Sequence, residues 1–120
     1  MGARDVADST IDRATFEDLK ATAGADFVHE LVETFLSEAP EMLKDLRAAV
    51  ASNDADRFRR AAHSLKSNSN TFGALALGTL ARTLELQGLN PVREAGGAPL
   101  EALELEYARV AAALTELKRA

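Results

Sequence analysis

The apolar spacing of this chain constrains its fold most strongly, because hydrophobic side chains recur every three or four residues in several separate stretches. Between residues 25 and 38 the stripe consists of Phe27, Val28, Leu31, Val32, Phe35 and Leu36. Such spacing predicts an amphipathic helix with one buried face. No stretch alternates apolar and polar residues for long enough to predict a strand. Each helix needs a partner to cover its stripe, so the sequence predicts an all-α fold.

The first helix and the domain boundary are predicted from capping residues. Thr15 starts a short helix, since Asp18 follows three residues later as in a capping box, and Gly24 ends it. Residues 1–14 are then a polar N-terminal arm, and residues 15–120 form a single helical domain. That division suits a chain of 120 residues, which is long enough for one domain with a real core.

The middle of the chain predicts two further helices. Pro40 fits the first turn of a helix, because its missing N–H would be unpaired there in any case. The apolar face of that helix consists of Met42, Leu43, Leu46 and Val50. Asn53 or Asp54 caps the next helix, which we place at residues 55–72 and end at Gly73.

Two leucine-rich helices follow. The first carries Leu75, Leu77, Leu80, Leu84 and Leu86. Gly88 and the Asn90–Pro91 pair end it, and a loop through Gly96 and Gly97 leads to the last helix. That helix carries Leu100, Leu103, Leu105, Tyr107, Val110, Leu114 and Leu117. Amphipathic helices joined by short links predict an antiparallel four-helix bundle with one or two additional short helices.

Composition narrows the functions open to such a bundle. Lys and Arg number 14 against 19 Asp and Glu, a net charge of -5, which disfavours general binding to nucleic acid. No apolar run reaches the roughly 18–20 residues of a membrane span, and the charged first ten residues do not resemble a signal peptide. The chain has no Cys, which excludes thiolate metal sites and thiol nucleophiles. We therefore expect a cytoplasmic domain, and a monomer because the apolar stripes are used within the bundle.

The helix at residues 55–72 carries one histidine in an unusual position. At about 100° per residue, five side chains fall within about 40° of one direction and form the predicted buried face. They are Phe58, Ala62, Leu65, Ser69 and Phe72. His63 lies roughly 140° from that direction, so its imidazole is predicted to face solvent.

Cations surround His63 at helical-neighbour spacing. Arg59 and Arg60 precede it by one turn, and Lys66 and Ser67 follow it by one turn. Lys66 lies roughly 80° from the core direction, so its ammonium can reach the imidazole. Nearby cations favour the neutral, nucleophilic imidazole and offset the charge of an attached phosphoryl group. The pattern indicates phosphoryl transfer, although a histidine with no role on a solvated, charged face fits the same spacing.

The residues from His63 to Ala74 add a more specific signal. They read His-Ser-Leu-Lys-Ser-Asn-Ser-Asn-Thr-Phe-Gly-Ala. This run resembles the signature of histidine-containing phosphotransfer (HPt) domains, which is His-x-Leu-Lys-Gly, then five residues, then Gly-Ala. The matching positions are His63, Leu65, Lys66, Gly73 and Ala74, preceded by Arg60-Ala-Ala. The order of helices from about Ile11 onward and the acidic, Phe-containing stretch at residues 26–36 are also similar to the family.

The resemblance implies a phosphocarrier in a two-component phosphorelay. His63 then accepts a phosphoryl group at Nε2 from a receiver-domain aspartate and passes it to a second receiver, while Lys66 stabilises the transferring group. The implied docking face near the histidine consists of Arg59, Arg60, Ser67 and Asn70. Receiver domains and a hybrid sensor histidine kinase are the expected partners, with Mg²⁺ on the receiver and no cofactor in this chain. Ser67 stands where the family has Gly, and as the next smallest polar side chain it leaves room for the receiver.

Three alternatives and one exclusion accompany this interpretation. Asp26-x-x-His29 has the spacing of di-metal helical bundles, but the residue three before His63 is Arg60, a cation that repels a metal. A non-catalytic interaction module would not need both His63 and Lys66. The phosphate-accepting first domain of a chemotaxis-type kinase would begin a much longer chain than these 120 residues. No nucleotide-binding motif is present, so we expect a phosphocarrier and not an enzyme.

Overall fold

Six helices build the part of the chain that the structure, a computed structural model, describes, which is residues 10–119. They are α1 (Arg13–Ala23), α2 (Ala25–Ser52), α3 (Ala55–Thr71), α4 (Leu75–Gln87), α5 (Asn90–Glu94) and α6 (Ala98–Arg119). The long helices α2, α3, α4 and α6 form a closed ring in which each packs against two others. Within residues 10–119 there is no strand, and the predicted four-helix bundle with two shorter helices is confirmed. None of these helices is both long and apolar enough to cross a membrane.

Helix α2 runs without a break through Pro40, so the prediction that Pro40 begins a new helix is wrong. The proline cannot donate a hydrogen bond to the carbonyl oxygen of Leu36. Across the bundle, the hydroxyl of Tyr107 on α6 lies 3.5 Å from that oxygen and donates to it over this long distance. The inward-facing stripe also continues in phase on both sides of Pro40, from Phe35 to Leu46. Burial of one continuous apolar face therefore outweighs the lost backbone hydrogen bond.

Helix α1 begins two residues before the predicted domain boundary. Its cap is Asp12, whose side chain accepts a hydrogen bond from the backbone N–H of Thr15, so the predicted cap at Thr15 is wrong. Ile11 is fully buried, and the N–H of Asp12 donates to the carbonyl of Gly73 at 2.8 Å. Ile11 and Asp12 of the predicted arm thus belong to the packed domain, and Asp12 lies against the α3–α4 turn. The remainder of that arm, residues 1–9, lies outside the described residues.

The α3–α4 turn depends on Gly73. Its φ of 82° lies in the left-handed region, and a Cβ at this position would meet the backbone oxygen of Asp12 at 2.8 Å. Both the backbone conformation and the close approach of the chain require glycine here. Asp54, one of the two residues predicted to cap α3, is its N-cap, whereas Asn53 ends α2 in a left-handed conformation.

The structure departs in two ways from the burial that the apolar pattern of the sequence predicts. The short helix α5 lies within the predicted loop, because Leu89 and Val92 are buried against the bundle. Four large apolar side chains assigned to stripes are instead exposed by about half or more; they are Phe27, Leu75, Leu86 and Leu105. On α2, for example, Phe27 lies about 100° around the helix from the fully buried Val28. The buried face of each helix is therefore narrower than its apolar stripe.

The buried face of α3 agrees with the prediction. Its residues are each 3 % exposed or less; they are Phe58, Ala62, Leu65, Ser69 and Phe72. The Phe72 ring packs against Phe35 with 5.4 Å between centroids, and Phe35 in turn contacts Tyr107 at 5.9 Å. These contacts tie α3 to α2 and α6. They hold the helix in place, while its opposite face, which carries His63, stays exposed.

Truncation of two phenylalanines should separate core from surface. Phe58→Ala removes a fully buried ring and is expected to cost about 3–5 kcal/mol of unfolding free energy. Phe27→Ala removes a ring that is 52 % exposed and should cost under about 1 kcal/mol. Urea unfolding of both variants measures the difference, and equal destabilisation by the two changes would contradict this core.

Candidate functional site

The imidazole of His63 stands on the outer face of α3, with 55 % of the side chain exposed. Helix α3 packs against α4 on one side and against α2 on the other. The exposure agrees with the helical-wheel prediction. A partner domain can therefore reach the ring from solvent while the backbone beneath it is held by the core.

Glu85 on α4 contacts two side chains of α3, those of His63 and Lys66. Its Oε2 atom lies 2.7 Å from Nδ1 of His63, and its Oε1 atom lies 2.8 Å from Nζ of Lys66. One carboxylate thus binds both residues through separate oxygens. The helical wheel predicted that the ammonium of Lys66 reaches His63 directly, whereas in the structure it binds the carboxylate that also holds the imidazole.

The register of the α3–α4 hairpin brings Glu85 to this position. His63 precedes the Gly73 turn by ten residues and Glu85 follows it by twelve, so the two stand about 15 Å and 18 Å along their helices from the turn. Antiparallel helices therefore present them at nearly the same height. Sequence reasoning on one helix alone missed Glu85, but counting outward from the predicted turn at Gly73 would have found it.

Close packing of the same two helices strengthens this register. A Cβ built at Gly78 on α4 would overlap the side-chain amide oxygen of Asn70 on α3. Asn70 was expected on the docking face, and its residue is exposed, but its amide lies against α4. Asn70 therefore contributes to the fit between the helices that carry His63 and Glu85.

The electrostatics of the trio determine which nitrogen of His63 is free. Hydrogen bonds from Lys66 and His63 lower the pKa of the Glu85 carboxyl below its usual value, so it is ionised at neutral pH. A carboxylate can only accept hydrogen bonds, so Nδ1 of the imidazole must carry the proton that it donates to Glu85. In the neutral ring Nε2 then has no proton and keeps its lone pair. The geometry produces a nucleophilic nitrogen at a known position.

The two arginines beside His63 are engaged elsewhere. Arg59 donates to Asp56 at 2.8 Å, and Nε of Arg60 lies 3.0 Å from the other oxygen of the same carboxylate. These contacts lower the pKa of the Asp56 carboxyl. Both arginines lie one turn from His63, as their spacing predicts, but both guanidinium groups are bound to Asp56. Ser67, one turn beyond His63, is exposed and leaves that side of the ring open.

His29, the other histidine, lies apart from this site. It is partly buried on α2, one turn before Glu33. Glu33 itself pairs with Lys118 of α6 at 2.8 Å. Among the described residues no group of three or more His, Cys, Asp or Glu side chains is placed to hold a metal ion.

The tautomer of His63 should depend on Glu85. In ¹⁵N NMR spectra at about pH 8, above the ordinary titration range of histidine, we expect the Nδ1–H form of His63 to predominate in the unchanged protein. Glu85→Ala removes the acceptor and should abolish that preference. His29 provides the internal control, since its spectrum should not change. A His63 ring that carries its proton on Nε2 in the unchanged protein would contradict the assignment.

Comparisons with known proteins agree on one family. The Hpt domain family matches residues 30–120. A stretch of 83 residues, 69% of this chain, is 30% identical to Sensor protein TorS of Escherichia coli, and the match spans only 9% of TorS. The crystal structure of histidine-containing phosphotransfer protein B (HptB) from Pseudomonas aeruginosa superposes with a TM-score of 0.83. That match has 27% sequence identity and covers 92% of this chain and 95% of HptB.

The structural match agrees with the all-α helical bundle. Because the family match covers three quarters of the sequence and the fold match nearly all of it, the resemblance seen in the residues from His63 to Ala74 extends to the whole domain. The chain therefore belongs to the Hpt domain family, the histidine phosphotransfer proteins of two-component phosphorelays.

Proposed function

We propose that His63 is the residue that carries the phosphoryl group in this chain, and that the group is bound through Nε2. The single observation that carries the proposal is the 2.7 Å contact between Nδ1 of His63 and the Glu85 carboxylate. That contact leaves Nε2 unprotonated on an exposed ring. An aspartyl phosphate on a receiver domain is the proposed donor, and the aspartate of a second receiver is the proposed acceptor.

The proposed step balances at each atom. The lone pair of Nε2 attacks phosphorus, an N–P bond forms, and the P–O bond to the aspartate breaks as its carboxylate leaves with the electron pair. The ring keeps its Nδ1 proton and becomes positively charged. Glu85 accepts a hydrogen bond from that proton, so its negative charge stabilises the positive charge that develops on the ring. Return of the group to another aspartate reverses the step.

Lys66 is proposed to act on the phosphoryl oxygens. Its ammonium is held by Oε1 of Glu85 with 25 % of the side chain exposed, so it is fixed beside the imidazole without being buried. A fixed cation stabilises charge that develops on the phosphoryl group during transfer. Ser67 and the neighbouring Arg59, Arg60 and Asn70 form the proposed docking face, on which the small Ser67 side chain permits close approach.

The proposal makes the chain a phosphocarrier and not an enzyme, because the receiver domain supplies the aspartate and the Mg²⁺. Receiver domains and a hybrid sensor histidine kinase are its proposed partners, and TorS, a sensor protein, contains a related segment. With receiver domains as its partners, the chain is also proposed to act in the cytoplasm. We propose a monomer, since Leu75 and Leu86, two exposed apolar side chains of α4, stand at opposite ends of that helix. The family match does not favour a non-catalytic interaction module.

Replacement of each histidine tests the site of phosphorylation. His63→Gln should abolish the acid-labile label acquired from receiver domains that have been phosphorylated with radiolabelled acetyl phosphate. His29→Gln, the matched control, should label like the unchanged protein, because His29 lies outside the trio. Circular dichroism establishes that both variants are folded. Label on the His63 variant, or its loss from a folded His29 variant, would assign the chemistry to another residue.

Replacement of Lys66 tests its electrostatic role. Lys66→Ala should slow transfer by about ten- to a hundredfold, less than for a buried donor because water screens the exposed charge. Unfolding free energy should change by under about 1 kcal/mol, since the Lys66–Glu85 pair is only partly buried. Lys66→Arg should recover part of the rate, since the charge is kept although its geometry differs.

The control for Lys66 is Lys118, which is 26 % exposed and pairs with Glu33 at the same 2.8 Å distance on another face. Lys118→Ala should have the same small effect on stability and none on the transfer rate. Rapid-quench measurements give the rates and urea unfolding gives the stabilities. Transfer by Lys66→Ala at the unchanged rate would remove Lys66 from the mechanism.

A further inference from the structure

In the two turns of α3 that precede His63, two arginines share one carboxylate. Asp56 binds Arg59 through Oδ1 and Arg60 through Oδ2. All three side chains are more than half exposed, at 63 % for Asp56, 56 % for Arg59 and 68 % for Arg60. Exposed ion pairs of this kind contribute little to stability. Either arginine can therefore leave Asp56 at small cost while the other stays bound.

The two arginines diverge to opposite sides of α3. Arg59 shares a groove with Asp56, Glu85 and Leu86, which lies between α3 and the end of α4. Arg60 lines a different groove on the α2 side, together with Met42 and Asp45. Glu85, which binds Nδ1 of His63, thus lines the same groove as Arg59 and not the groove of Arg60.

Helix geometry places His63 within reach of Arg59. Residues four apart are separated by about 40° around a helix, whereas Arg60 and His63, three apart, differ by about 60° in the other direction. Side chains on a helix lean toward its N-terminus, so the imidazole of His63 projects over the turn that contains Arg59.

Phosphorylation would leave the site short of positive charge. A phosphoryl group carries a charge of about −1.5 to −2 near neutral pH, and the Glu85 carboxylate adds a further negative charge next to the ring. Lys66 is in contact with Glu85, so its single positive charge must offset both the carboxylate and the phosphoryl group. Arginine bound to phosphate through two parallel hydrogen bonds forms a stronger pair than an exposed Arg–Asp contact.

We propose that Arg59 exchanges partners when His63 is phosphorylated: it releases Asp56 and binds the phosphoryl group. Arg60 remains on Asp56 and neutralises it. The exchange stabilises the phosphorylated form of this chain and so shifts the equilibrium of the phosphoryl group away from the receiver aspartate. This inference rests on the proposed role of His63. It assigns to Arg59 a phosphoryl-binding role that Arg60 does not share.

The equilibrium distribution of label between this chain and a phosphorylated receiver domain tests whether Arg59 stabilises the phosphorylated form of the chain. Arg59→Gln should shift the ratio toward the receiver by about three- to tenfold. Arg59→Lys should recover part of the shift, because the charge is kept without the paired hydrogen bonds. Arg57→Gln is the matched control. It removes an arginine of the same helix that pairs with Asp45 at 2.7 Å on the α2 side, and it should leave the ratio unchanged.

Side-chain NMR of the unchanged protein tests the exchange itself. On phosphorylation the Nε–H signal of Arg59 should move and that of Arg60 should not. An unmoved Arg59 signal, an unchanged ratio in Arg59→Gln, or an equal shift in Arg57→Gln would overturn the inference while His63 still labels. Absence of label on the unchanged protein would instead refute the proposed function, so the two failures are distinguishable.

Discussion

The contact between the Glu85 carboxylate and the imidazole of His63 is the interaction on which this site depends. One carboxylate binds Nδ1 of the imidazole at 2.7 Å and the ammonium of Lys66 at 2.8 Å. It therefore orients the ring, selects the nitrogen that remains unprotonated and holds a cation beside it. In the proposed phosphorylation the same charge would stabilise the positively charged ring. A histidine and a lysine on one helix are thus joined through a residue on the next helix.

The remainder of the bundle keeps that contact in register. Gly73 permits a tight turn against which Asp12 packs closely. The N–H of Asp12 donates to the Gly73 carbonyl, so the start of the domain is held on the α3–α4 hairpin. Gly78 lets Asn70 approach α4 closely. The inward face of α3, represented by Phe58 and Leu65, is fully buried, which prevents rotation of the helix. These constraints concern shape and burial, and together they fix the position of one exposed nitrogen.

The sequence predicted the features that depend on a single helix and missed those that depend on two. The burial of Phe58 and the exposure of His63 follow from the helical period, and both were predicted. Continuity of α2 through Pro40 was not, because it depends on a face buried against other helices and on a hydroxyl from α6. Glu85 was missed for the same reason. The engagement of Arg59 by Asp56 is local, and its three-residue spacing was visible in the sequence.

Identification of the nitrogen that carries phosphorus tests the central claim most directly. The protein would be labelled with ¹⁵N in its histidine rings, phosphorylated by a receiver domain, and examined for coupling between ³¹P and each ring nitrogen. The account predicts coupling to Nε2 of His63, with Nδ1 still protonated and bound to Glu85. Coupling to Nδ1 of His63, or to either nitrogen of His29, would contradict it.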